Sequence, residues 1–228
     1  MCGRLNISDH KGVSWLMTQL GLSLEPEKFS PNYNVAPTAA LWGATMWQHD
    51  VSLQPMPWGF VPPWAKEGQF EKPLFNARSE TIWEKASFKN LIRRYRGIVF
   101  ANGFYEWKRN GKERIPYYVS LKNEPAMAMA AIIQEHGDGY HQSCLITTAA
   151  DSEMAPVHHR QPVVIPPTDL ERWLKDDKKD WLKSAMKTPR TSPFKLRRVS
   201  DHVNNARNHG PDCLKPPEAP KGQVSFNF

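Results

Sequence analysis

The sequence predicts an α+β fold: a single β-rich domain with flanking short helices. Three observations point there. Proline is abundant, 20 in 228 residues, which disfavours long helices and favours loops and short strands. Strand-like segments outnumber helical ones and the two kinds are interleaved, with no internal repeat and no break in composition. Finally, 40% hydrophobic and 11% aromatic residues suffice for one core in a chain of this length. The expected division is a domain over residues 1–210 and a loose Pro- and Lys-rich tail over 211–228.

The elements follow in order. Asp9 to Leu20 reads as an amphipathic helix, with Val13, Leu16, Met17 and Leu20 at helical spacing, Asp9 as N-cap and Gly21 as stop. Phe29 to Pro37 is turn-rich and irregular. Val51 to Trp58 alternates like a strand, and Pro62-Pro63 imposes a rigid loop carrying Trp64. Ser79 to Tyr95 reads as mainly helical, with Lys89, Arg93 and Arg94 exposed, and Gly97 to Trp107 as apolar and β-like. Asn110-Gly111 between two strand-like runs is the best hairpin signal, a type I′ turn. Ala126 to Ile133 and Ser143 to Thr148 are further strands. Pro167 to Lys175, capped by Thr168, and Lys178 to Lys187 are short helices, and Phe194 to Val199 is a last strand.

The formal charge of +7 suggests an anionic partner, of which nucleic acid is the usual one. Nine tryptophans exceed what a core of this size needs and can serve as stacking surface. Three cysteines, Cys2, Cys144 and Cys213, form no CxxC pair, which excludes a disulfide framework and a zinc finger and fits a reducing cytoplasm. No stretch has the length of a membrane span and no signal peptide is visible. A monomer without cofactor is expected.

Cys2 directly follows Met1. Methionine before a small residue is removable, and removal leaves a free α-amine beside a thiol. That pair condenses with an aldehyde to an imine and closes a five-membered thiazolidine. The amine titrates near ~8 and the thiol near ~8.5, so a usable fraction of each is nucleophilic at neutral pH. Asn76 either caps a following helix or polarises a carbonyl. Glu106, between aromatics on a strand, either faces solvent or is a buried proton-transfer group. His158, in the pair His158-His159, suits a proton shuttle better than a metal ligand, because further ligands at suitable spacing are missing. Arg4, Arg78 and Arg160 each stand beside one of these candidates, and arginine suits bidentate contact with phosphate.

Taken together, Met1-Cys2-Gly3-Arg4, Tyr33-Asn34-Val35-Ala36-Pro37, Trp58-Gly59-Phe60-Val61-Pro62, Asn76-Ala77-Arg78-Ser79-Glu80, Gly103-Phe104-Tyr105-Glu106-Trp107, Thr147-Thr148-Ala149-Ala150 and His158-His159-Arg160-Gln161-Pro162 resemble the SOS-response-associated peptidase (SRAP) family, in its order. The resemblance implies a barrel-like mixed sheet core and a positively charged cleft that binds single-stranded DNA carrying abasic sites. There the processed Cys2 forms a thiazolidine crosslink with the ring-opened sugar. It implies that Asn76 orients the aldehyde oxygen or sugar, Glu106 relays protons, and His158 assists ring opening. Arg4, Arg78 and Arg160 would hold flanking phosphates, while Asn34, Pro37, Trp64, Trp107 and Thr147 line the cleft, with Trp64 and Pro37 stacking on or wedging bases. The chain departs from the family where Trp64-Ala65 stands for two adjacent tryptophans, Asn102 for a common Asp, and His159 and Gln161 for frequent Asp and Arg. Two other readings stay open. One is a thiol peptidase using Cys2, Glu106 and His158, including self-removal of Met1. The other is a non-covalent single-strand or protein-binding module.

Overall fold

Two strands set the core, and neither alternates. Arg96-Gly-Ile-Val-Phe-Ala101 and the run from Met127 to Ile133 are buried along their whole length, as expected of strands covered on both faces. They pair antiparallel with each other, Ile98 opposite Ala130, at the centre of the larger of two sheets. The computed structural model describes residues 2–62, 64–66, 72–135, 141–187 and 192–218.

The strands are β1 (Leu5–Ile7), β2 (Asn32–Val35), β3 (Ala40–Trp47), β4 (Asp50–Pro57), β5 (Asn76–Arg78), β6 (Arg96–Ala101), β7 (Gly103–Asn110), β8 (Glu113–Leu121), β9 (Met127–Glu135), β10 (His141–Ala149), β11 (Arg160–Pro162), β12 (Val164–Ile165) and β13 (Phe194–Arg198). The helices are α1 (His10–Thr18), α2 (Leu91–Arg94), α3 (Leu170–Lys175) and α4 (Lys179–Ala185). One sheet runs β13-β8-β7-β1-β2; the other runs β11-β10-β9-β6-β3-β4, with β12 beside β9 and β5 beside β10. The β5–β10 pairing is parallel in a sheet otherwise antiparallel along its main path. Among the described residues both sheets are open, so the mixed α+β class holds while the barrel-like closure does not.

β1 pairs with β2 on one side and β7 on the other. The start of the chain therefore sits inside a sheet, and Cys2 is fixed three residues before a central strand. Gly103, where β7 begins, is required by close approach. An added Cβ would lie 2.5 Å from the Val119 carbonyl oxygen.

α1 begins where expected: the Asp9 carboxylate accepts from the Lys11 and Gly12 backbone N–H groups, and Gly21 takes φ 67 just beyond its end. Asn102 ties this turn to the sheet, its Oδ1 accepting from Ser8 and Asp9 N–H. Arg96 donates to the carbonyls of Ile92, Arg93, Trp173, Leu174 and Asp176. It thereby satisfies the open carbonyl ends of α2 and α3 with one buried side chain.

Several expectations are corrected. Residues 79–90 form successive turns, such as Thr81 N–H to Arg78 O and Phe88 N–H to Lys85 O, and only α2 is helical. The hairpin pairs Asn110 with Glu113. Its central residues are thus Gly111 and Lys112, with Gly111 at φ 58 and no positive φ at Lys112. That is the sign pattern of a type II′ turn, not I′. Thr168 caps nothing: it lies inside a 3-10 turn, Pro167–Asp169, without a side-chain cap. The segment expected to be a loose tail opens with a packed 3-10 turn, Pro211–Leu214, whose Cys213 is buried with Tyr105, Val199 and Val203. Met1, Pro63 and residues 219–228 lie outside the described residues.

Candidate active site

Cys2 is held where the two sheets meet. Its carbonyl accepts from Asn76 Nδ2 at 2.7 Å, and Asn76 is positioned by the β5–β10 pairing opposite Leu145. Asn76 Oδ1 is buried and has no partner among the described residues. A buried amide oxygen left open is costly, and it marks a position where an incoming hydroxyl or amine would be satisfied. Burial, and next the negative charge of Glu106, push the Cys2 thiol far above its ordinary range.

Glu106 lies on β7, opposite Tyr117 of β8, and is buried. His158 Nδ1 lies 3.8 Å from Glu106 Oε1. The same nitrogen accepts the Arg160 backbone N–H at 3.0 Å and sits 3.1 Å from the Arg160 carbonyl. It thus faces one donor and two acceptors, so both protonation states find a partner, which is what a proton shuttle needs. The His158 and His159 rings lie 4.4 Å apart, and the neighbouring His158 lowers the His159 titration point.

These residues open into a cleft of about 480 Å³ walled by Gly3, Arg4, Glu106, Trp107, Arg109, Arg114, His158 and Asn204. Arg4 and Arg114 each lie 5.7 Å from the Trp107 ring centre, and Trp107 Nε1 donates to Asn204 Oδ1 at 2.6 Å. An aromatic flanked by guanidinium groups in a wet cleft suits a base and its phosphates.

The structure brings Cys2, Asn76, Glu106 and His158 together, with Arg4 and Trp107 beside them. Three expected cleft residues face inward instead. Asn34 is 1% exposed. It accepts from Arg4 Nη1 at 2.8 Å and donates to the Val203, Asn205 and Asn208 carbonyls, so it anchors the loop that carries Asn204. Thr147 is buried and receives the Arg160 guanidinium on its carbonyl and hydroxyl. Arg160 is itself 7% exposed and forks onto Glu80 at 2.6 and 2.9 Å. Its two terminal nitrogens are engaged by oxygens of Glu80 and Thr147, while its buried Nε has no partner among the described residues. The same contact holds the Glu80 carboxyl below its usual range. Arg78 is exposed at the end of β5. Trp64 is 51% exposed and Pro37 is half-buried in the turn before β3; neither is among the cleft's walls. Arg109 and Arg114, a cross-strand pair of the hairpin, escaped the sequence reading. The signal was the run of basic residues on both sides of Gly111. Asn204 stands in Val203-Asn204-Asn205, a weaker match to the family pattern than the seven motifs above.

A sequence profile described as SOS response associated peptidase (SRAP) matches residues 1–206. The chain belongs to the SRAP family. Relatives include the abasic site processing protein YoqW of Bacillus subtilis, 29% identical over 94% of this chain and 99% of its own length. YedK of Escherichia coli, of the same description, is 29% identical over 95% of this chain and 100% of its own. HMCES of Gallus gallus, again an abasic site processing protein, is 31% identical over 96% of this chain and 78% of its own. A solved structure from Bacteroides thetaiotaomicron shares the fold with a TM-score of 0.77 at 23% identity, over 95% of this chain and 100% of that one. Among the described residues no helix is long and apolar enough to cross a membrane.

Proposed function

We propose that this SRAP chain processes abasic sites in single-stranded DNA by covalent capture through Cys2 once Met1 has been removed. The observation that carries the proposal is the meeting of Cys2, Asn76 and the Glu106–His158 pair at the end of a cleft walled by three arginines.

The chemistry balances without a cofactor. The ring-opened sugar presents an aldehyde at its C1′ carbon. The Cys2 α-amine adds to that carbon to give a carbinolamine, a proton moves to the hydroxyl, and water leaves as the imine forms. The thiol then adds to the imine carbon. A carbon–sulfur bond closes the thiazolidine, and the thiol proton ends on the ring nitrogen. Glu106 and His158 carry the protons in both steps, and Asn76 Oδ1 receives the hydroxyl or amine hydrogen. Fixing the sugar beside a terminus anchored in a sheet supplies the orientation that the free bimolecular reaction lacks. A single strand spares the cost of flipping the lesion out of a duplex.

The burial of Cys2 supports this order, with the amine attacking first. It weighs against a peptidase, in which a thiolate paired with imidazolium attacks first. Here His158 faces Glu106 instead.

The test mixes the Met1-processed protein with an oligonucleotide holding one abasic site and reads a denaturing gel. A heat-stable shifted band is expected, lost in Cys2→Ala and formed roughly a hundredfold more slowly in Glu106→Gln, with DNA affinity kept. No adduct from the wild type sinks the capture reading. An unchanged rate in Glu106→Gln removes that residue from the mechanism.

A further inference from the structure

A second groove, of about 410 Å³, opens beyond Arg78 on the far side of Glu80. Ser79, Glu80, Trp83, Thr148, Lys183 and Lys187 contribute to its walls. We propose that it is a secondary binding track for the same single strand, taking the nucleotides that leave the Cys2 cleft past Arg78. The proposal rests on the abasic-strand reading above and extends it to undamaged flanking nucleotides.

Four observations support it. The first is the lysine stripe. Lys179, Lys183 and Lys187 recur every fourth residue along and just past α4, which places them on one side. Like charges at that spacing work against a helix. None of the three pairs with a carboxylate among the described residues. The second is the aromatic. Trp83 is half-buried, with Lys179 Nζ 5.4 Å and Arg93 5.8 Å from its ring centre. Its indole N–H has no acceptor among the described residues, so the ring is not kept for a hydrogen bond. What it offers is a flat face among cations, the arrangement on which bases stack without regard to sequence.

The third is charge. The carboxylate in the groove wall, Glu80, is neutralised by the Arg160 fork. Exposed Glu84 and Asp180 on the neighbouring segments are outnumbered by Arg78, Arg93 and the three lysines. The fourth is continuity. β5 carries Asn76, at the Cys2 carbonyl, to Arg78 at its exposed end, and the groove begins with the next residue. Along β10 Thr147 turns inward to Arg160 while Thr148 lines the groove. One pair of strands thus has the lesion site at one end and the groove at the other.

The experiment compares wild type, Lys183→Glu/Lys187→Glu and Trp83→Ala on two abasic oligonucleotides. One has about ten nucleotides on each side of the lesion and the other about two. The readouts are crosslinking rate on the gel and equilibrium affinity, by fluorescence anisotropy, for an undamaged strand of the longer length. With long flanks each variant should bind about tenfold more weakly. The double lysine variant should also show a salt dependence shallower by about 0.7 per lost phosphate contact. Crosslinking to the short oligonucleotide should match wild type, which also shows that the variants fold. Unchanged affinity for the long strand overturns the proposal. So does an equal loss on long and short substrates, because the groove would then act through the cleft or the fold. Wild type that forms no adduct, with variants that still bind the long strand weakly, would reject the capture reading and leave the groove standing.

Discussion

Asn34 separates two views of the cleft most cleanly. Read as a DNA contact, its removal should weaken binding and leave the fold alone. The structure says the reverse. Its amide donates to three loop carbonyls at 3.2, 3.1 and 2.8 Å and accepts from Arg4 at 2.8 Å. Asn34→Ala deletes this group from a buried position. The two amide hydrogens are worth about 1 kcal/mol each, and the bond from charged Arg4 about 1.5 kcal/mol, against the partial hydration regained by the loop. The net loss is about 3 kcal/mol. For a domain of this size each kcal/mol lowers the melting temperature by about 2–4 °C, so a fall of about 6–12 °C is expected in a calorimetric scan. Crosslinking should slow as well, because Arg4 and the Asn204 wall lose their anchor, while the salt dependence of DNA binding keeps its slope. A melting temperature within about 1 °C of wild type, together with a shallower salt slope, would show that Asn34 faces the strand and that the anchoring argument is wrong.

Arg160→Lys tests the other inward-facing residue. Lysine cannot reproduce the fork onto Glu80, so the capture rate should fall through misplacement of His158 while the salt slope of binding stays put. A slope shallower by about 0.7 would make Arg160 a phosphate contact. Stability should also respond to alkali. Burial raises the thiols of Cys2, Cys144 and Cys213 and the phenols of Tyr105 and Tyr118 in the folded chain. Below the unfolded thiol value near ~8.5 nothing is lost. Above it the unfolded chain releases protons that the folded one keeps, so stability falls as pH rises. Thermal melts at about pH 7, 8.5 and 10 should drop in that order, and a melt that rises above pH 8.5 contradicts the burial of these groups.

How much was legible follows from the range of each interaction. α1 and the β7–β8 hairpin were readable because their signals are local: Asp9 and Gly21 bracket one, and a glycine sits at the tip of the other. β3 and its turn into β4 were not, because Gln48 and His49 take φ 47 and 77, a conformation normally flagged by Asn or Gly. Residues 79–90 hold no Gly or Pro to signal a break in the helix, but Ile82 and Phe88 are buried from a chain of separate turns. The fates of Arg160 and Asn34 were hidden for another reason. Residue type announces a guanidinium or an amide, but not that a carboxylate 80 residues away or a loop 169 residues away will occupy it. Cys2, Asn76, Glu106 and His158 were legible as motifs, while Arg109 and Arg114 depended on which faces the fold leaves open.

The anchoring of Cys2 at the seam between the sheets also has a temporal side. On the capture reading proposed above, the parts of the Cys2 site are made far apart in time. The Cys2 carbonyl waits for Asn76, 74 residues downstream; β1 waits for β7; the proton relay waits for His158. Until His158 has been made, Cys2 lacks both its Asn76 anchor in a formed sheet and a complete Glu106–His158 pair. On the capture reading the complete site exists only once the chain has been made past His158, so the order of translation delays its assembly.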